Sequence, residues 1–134
     1  MSTYTEQQTQ ITDAEILKDC LKEKGVKEVV HHPHAVQLEG YHGDKRKDTA
    51  EIVIPRRAIG SASNDVGFKK QPDGTFKAVI SQYDSGRFNA VWMIDLKKKY
   101  AEKKIMKTAK ANGLTFVGKK VATNGSFKMQ FVKA

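Results

Sequence analysis

Hydrophobic positions in this chain repeat with two periods, one suited to strands and one to helices. Thr3 to Ile11 alternates weakly and predicts a first strand, with Tyr4 as its one large anchor. Thr12-Asp13-Ala14-Glu15 then has the order of a capping box, and Ile11 and Ile16 occupy the staple positions. Leu17, Cys20 and Leu21 form the buried stripe of the helix that follows, and Gly25 closes it. Val26 to Val30 and Ala35 to Tyr41 predict short strands on either side of His31-His32-Pro33-His34. Pro33 lacks an amide hydrogen, which assigns it to a turn or an edge. His42 to Asp48 is polar and charged and predicts a loop.

Ala50 to Ile54 alternates cleanly, with Ala50, Ile52 and Ile54 on one side and Glu51 and Val53 on the other. Pro55 ends that strand, and Arg56 to Asn64 reads as irregular. Val66 to Gln71 and Thr75 to Tyr83 predict a hairpin around Pro72-Asp73-Gly74, because proline presets φ and glycine supplies positive φ. Phe68, Phe76, Ala78 and Ile80 give its inner face. A lysine-crowded helix is expected from Asp95, as N-cap, to Asn112, stopping at Gly113. At about 100° per residue, Ile94, Ala101, Ile105, Thr108 and Asn112 fall on its buried stripe. Lys99, Lys103, Lys107 and Lys110 fall on the opposite face, as a ridge roughly 16 Å long at 1.5 Å per residue. Thr115 to Ala122 and Phe127 to Val132 flank Asn124-Gly125, a strong hairpin signal.

The order strand, helix, several strands, helix, hairpin predicts an α+β fold. One domain over residues 1–134 is expected, a mostly antiparallel sheet with two helices packed on one face. A chain of 134 residues is long enough for a hydrophobic core of its own. No apolar run approaches the roughly 20 residues that span a bilayer, so no membrane partner is expected. Met1 to Gln10 lacks the order of a secretory signal, and Cys20 is the only cysteine. These features point to the cytoplasm or an organellar equivalent such as the plastid stroma.

Charge changes the picture most. The net charge is +9, which favours anionic partners, yet lysine outnumbers arginine 20 to 4. Arginine is the better residue for bidentate phosphate recognition, so much of this lysine serves solubility. The anion or nucleic-acid candidates are Lys99, Lys103, Lys107 and Lys110 on the helix, with Arg56 and Arg57 beside Gly60-Ser61-Ala62-Ser63. That last stretch lacks the ending of a P-loop and reads first as a plain loop. Aromatic and basic residues interleave in Gly67-Phe68-Lys69-Lys70 without matching an RNA-binding consensus.

Other chemistry is weaker. His31, His32 and His34 are the weak metal candidates; they lack a defined spacing to a third ligand, and no metal is expected. Cys20 lies on a buried stripe with no base supplied, which makes it core. Asp84-Ser85-Gly86-Arg87-Phe88 reads as a turn in which Asp84 pairs with Arg87. No catalytic residue and no cofactor is expected.

Several stretches, taken together, resemble the hypothetical chloroplast reading frame thirty-five family, an uncharacterised domain of cyanobacteria and red-algal plastids. They are Met1-Ser2-Thr3-Tyr4 with Thr9-Gln10-Ile11, Ala50-Glu51-Ile52-Val53-Ile54, Asp65-Val66-Gly67-Phe68, Gly74-Thr75-Phe76 with Asp84, Tyr100-Ala101, and Asn112-Gly113 with the hairpin around Gly125. The resemblance implies a compact α+β domain with no assigned activity. Its members are often encoded near AAA-type ATPases, which implies an accessory or adaptor role. The loop from His42 to Asp48 and the segment Arg56 to Ser63 are more basic than the family pattern. The leading expectation is therefore a non-enzymatic accessory or adaptor protein that binds a protein partner, an AAA-type ATPase system being the implied one. The alternative is a nucleic-acid or polyanion binder using the lysine helix.

Overall fold

The computed structural model describes residues 3–133. Met1 and Ser2, the start of the stretch that carries the family resemblance, lie outside the described residues. In chain order the elements are β1 (Tyr4–Gln8), α1 (Ala14–Glu23), β2 (Val30–Glu39), β3 (Lys45–Ile54), β4 (Val66–Lys70), β5 (Phe76–Ser81), α2 (Ala90–Ala111), β6 (Leu114–Val121) and β7 (Phe127–Lys133). The fold is α+β, and the described strand pairings are antiparallel. The chain forms two compact units, Met1–Tyr100 and Ala101–Ala134.

The first unit is built on a five-stranded sheet of order β1-β5-β4-β3-β2. One face carries Ile52, Ile54, Val66, Phe68, Phe76, Ala78 and Ile80. Against it pack Ile16, Leu17, Cys20 and Leu21 of α1 and Met93, Leu96 and Tyr100 of α2, so both helices cover the same face. Alternation along the strands explains the sheet's share of this core. The opposite face holds a smaller cluster of Leu38, Ala50, Val53 and Val79, with Tyr4 and Val36 packed against it. Gly67 allows that cluster to close: a Cβ there would stand 2.6 Å from the Ala50 Cβ.

Helix α1 ends as expected. Gly25 has φ +88°, its N–H donates to the Lys22 carbonyl, and the Val26 N–H donates to the Leu21 carbonyl. That is the doubly bonded Schellman stop. The start differs from the capping-box reading by one residue. Asp13 is the N-cap, its carboxylate accepting from the Ile16 N–H at 3.1 Å. The Thr12 and Asp13 N–H groups donate to the Tyr100 hydroxyl at 3.0 and 2.9 Å, and Glu15 pairs with Lys18 instead.

Three strand expectations are corrected. The two short strands expected around His31-His32-Pro33-His34 are one strand, β2, which absorbs Pro33 because β2 lies at the sheet edge and shifts register between His31 and Val36. Alternation also breaks within β3, so Ala50 joins Val53 rather than Ile52 and Ile54. The loop expected over His42 to Asp48 is shorter, since β3 begins at Lys45, where a Gly40–Gly43 turn reverses the chain.

Helix α2 is also corrected. It begins five residues before the expected cap, with Asn89 accepting from the Trp92 N–H at 2.9 Å. The true buried stripe of its first half is Met93, Leu96 and Tyr100. Ile94 and Ile105, expected inside, are 53% and 40% exposed. Placing the start at Asp95 hid the i, i+3, i+7 spacing of the real stripe.

The second unit contains the end of α2 and the β6–β7 hairpin, which closes around Asn124-Gly125 with Gly125 at φ +86°. Phe127, Met129 and Phe131 are half-buried while Lys128 and Gln130 are exposed, as their alternation predicts.

Candidate functional site

Two regions bring chemically distinctive residues together, one in each unit. In the first unit, Pro55 to Ser61 leaves the sheet after β3 through a short 3-10 turn over Arg56–Ala58. Together with Glu39 at the end of β2 it borders a cleft of about 570 Å³, lined by Glu39, Pro55, Arg56, Arg57, Gly60 and Ser61. The two candidate arginines do reach one site with Gly60 and Ser61, although their charges are engaged differently. Arg57 binds Glu28 through two hydrogen bonds, Nε to Oε1 at 2.9 Å and Nη2 to Oε2. That bond is the main reason its pKa is raised. Arg56 Nη1 reaches the Ser61 carbonyl at a long 3.4 Å.

A buried polar network stands behind the cleft. The Asp65 carboxylate accepts the Glu39 N–H and the Arg56 N–H, each at 2.8 Å. The Asp65 carbonyl accepts the Tyr4 hydroxyl at 2.7 Å, and burial is the largest cause raising that phenol's pKa. Asn64 is fully buried; its side-chain Oδ1 accepts the Tyr41 N–H, and its side-chain Nδ2 donates to Ser81 Oγ at 2.9 Å. Asp84, 3% exposed, accepts from the Asn64 N–H at 3.0 Å and from the Ser81 hydroxyl at 2.8 Å. The Asp84 carboxylate therefore does not pair with the Arg87 guanidinium as expected; the Arg87 backbone N–H donates to the Asp84 carbonyl at 3.2 Å, and the guanidinium to the Ile59 carbonyl at 3.0 Å. Buried carboxylates are tolerated where donors surround them, and here the donors fix the path of a surface segment.

The second unit concentrates charge and apolar exposure. Ala101–Ala134 holds eight lysines and no arginine against one acid, Glu102, a net +7 of the chain's +9. Glu102 pairs with Lys119 at 2.6 Å. Of the helix candidates, Lys103, Lys107 and Lys110 belong to this unit; Lys103 is half-buried, while Lys107 and Lys110 are exposed. Lys99, half-buried, belongs to the first unit, where its charge helps lower the Asp95 pKa. Val117, Val121 and Val132 of the ribbon are 55%, 64% and 51% exposed, and Phe116 is 39% exposed. On the same unit Ile105, Ala109, Leu114 and Phe131 line a shallow apolar groove with Lys104 at its rim.

The remaining candidates stay apart. His31 and His34 are exposed and His32 half-buried along β2. Among the described residues no group of three or more His, Cys, Asp or Glu is placed to hold a metal ion. Cys20 is buried in the core. Sequence reasoning missed Asn64 and Asp65 as a structural unit, and it missed the exposed ribbon valines. The first omission had a readable signal, two polar residues directly before a fully apolar strand start. Among the described residues no helix is long and apolar enough to cross a membrane.

These features define a small basic α+β protein with a braced polar cleft in one unit and a cationic, apolar surface in the other. The chain belongs to the family described as protein of unknown function (DUF1257), whose pattern matches residues 20–130. No curated protein and no solved structure matches it.

Proposed function

We propose that the chain is a non-enzymatic accessory protein that binds a protein partner through its Ala101–Ala134 unit. The observation carrying this reading is the exposure of Val117, Val121 and Val132 on a two-stranded ribbon. The register sets Val121 opposite Phe127 and Val132 opposite Thr115, so exposed valines stand on both faces of the ribbon, and exposed apolar side chains beside charge mark interaction surfaces. The net charge of +7 on the same unit selects an acidic partner, because complementary potentials speed encounter and reject basic surfaces.

The resemblance to the chloroplast reading frame thirty-five proteins supports a finer version, in which the partner belongs to an AAA-type ATPase system of the cytoplasm or plastid stroma. The purified ATPase of the same host tests it. Binding by the wild type and its loss in a Val117→Asp, Val121→Asp variant that melts normally is the expected result. Equal binding by both proteins counts against this surface.

The same charge favours a second reading, a nucleic-acid or polyanion binder using Lys99, Lys103, Lys107 and Lys110. Lysines supply point charges to a phosphate backbone, whereas exposed valines contribute nothing to it. If that reading holds, log affinity falls with log salt at a slope near −0.9 per phosphate neutralised, and changing the four lysines to glutamine flattens it.

A further inference from the structure

We propose that the cleft between the end of β2 and the Pro55–Ser61 segment binds a small zwitterion of the amino-acid class, Arg56 taking its carboxylate and Glu39 its ammonium. This site is separate from the partner surface, and its argument does not depend on it.

The cleft's volume of about 570 Å³ suits a small molecule, since ligand pockets run from roughly 300 to 1,000 Å³. Three charged residues line it. Arg57 is already matched, because Glu28 holds its guanidinium by two hydrogen bonds. Arg56 and Glu39 add one cation and one anion to the same lining, and Glu39 also stands near enough to Arg57 to help raise its pKa. Arg56 makes only a long bond of 3.4 Å to the Ser61 carbonyl, so its planar donor fork retains capacity for a carboxylate.

The lining discriminates by charge. A simple anion gains Arg56 and is opposed by Glu39. A simple cation meets the reverse. A ligand carrying both charges satisfies both walls with no net charge brought into the cleft.

The backbone beneath these two residues is pre-organised by a single group. Asp65, 7% exposed, accepts the Glu39 N–H on one carboxylate oxygen and the Arg56 N–H on the other, each at 2.8 Å. Asp65 is held in turn by the Tyr4 hydroxyl on its carbonyl, and the adjoining Asn64 by Ser81 and Asp84. Burying a carboxylate costs stability, and this one fixes the spacing of the two lining residues with opposite charge. A fixed backbone spacing lowers the entropy lost on binding, which is how a shallow site gains affinity.

The test is calorimetric titration of the full chain with free amino acids one at a time at millimolar concentration, followed by the N-acetyl and amide forms of any that bind. We expect at least one to saturate. Its N-acetyl form, lacking the ammonium, and its amide, lacking the carboxylate, should each bind about tenfold more weakly or worse, as loss of a charge-assisted hydrogen bond requires. Arg56→Gln should erase the distinction between acid and amide, and Glu39→Gln the distinction between free and acetylated amine. Both variants should melt like the wild type, because Asp65 holds their backbone and not their side chains. If either melts early, the analogue pattern on the wild type decides alone. Saturation by no amino acid overturns the proposal, as does binding indifferent to both substitutions. Tighter binding of inorganic phosphate, unaffected by Glu39→Gln, overturns it in favour of a plain anion site.

Discussion

The ammonium of Lys24, at the end of α1, is bound to the carboxylate of Asp95 in α2, with 8% of the lysine side chain exposed against 50% of the aspartate's. The same ammonium stands 4.9 Å from the centre of the Trp92 ring. One cation thus ties the two helices together at the edge of the core, through an aspartate that sequence order offers as a helix cap.

This pair gives the stability a pH dependence of definite sign. The hydrogen bond from Lys24 is the main reason the Asp95 carboxyl titrates below its usual range. A depressed carboxyl pKa contributes stability above the unfolded value, about 3.9, and loses it as pH falls through the lower folded value. Asp95→Asn should cost about 1 kcal/mol near pH 7, a figure already reduced for solvent screening of a half-exposed anion. Urea melts at pH 7 and near pH 2 check this: the gap between variant and wild type should be present at the first and smaller at the second. An unchanged gap would assign the effect to packing.

The Asp65 carboxylate should matter more. Asp65→Ala leaves the Glu39 and Arg56 N–H groups without their acceptor. Each such loss costs roughly 1–3 kcal/mol, so a total of about 2–6 kcal/mol is expected in denaturant titrations. Arg56→Ala, which removes only a side chain, should stay within about 1 kcal/mol. Similar losses for the two variants would contradict the bracing role.

The corrected faces of α2 make a third prediction. Leu96 is fully buried and Ile105 is 40% exposed. Leu96→Ala should cost about 2–5 kcal/mol. Ile105→Ala should cost under about 1 kcal/mol, as surface changes usually do. Thermal melts that rank them the other way would restore the stripe through Ile105.

Local signals in the sequence proved legible wherever one residue decides the backbone. Gly25 ends α1, the Pro72-Asp73-Gly74 turn joins β4 to β5, and Asn124-Gly125 joins β6 to β7, as their chemistry requires. The misreadings come from places where distant partners outweigh local preference. Two short strands read on either side of His31-His32-Pro33-His34, yet they are one edge strand that carries the proline. Asp95 reads as a cap, yet Lys24, far away in sequence, claims its carboxylate. Of the candidate site, Arg56, Arg57 and Gly60-Ser61 were readable as neighbours in sequence. Glu39 and Asp65 were not, because only the pairing of β2 with β3 brings Glu39 near them. Exposure of the ribbon valines was equally hidden, since alternation assigns residues to faces without saying which face is covered.

The most direct test of partner binding through the Ala101–Ala134 unit is site-specific photo-crosslinking in the native host. A photoreactive residue is placed at Val117, at Val121, or at Tyr83 of the first unit, which is 58% exposed. The account predicts one protein crosslinked from both ribbon positions, absent from Tyr83 and unaffected by nuclease. Adducts that nuclease removes, or the same products from all three positions, would contradict it.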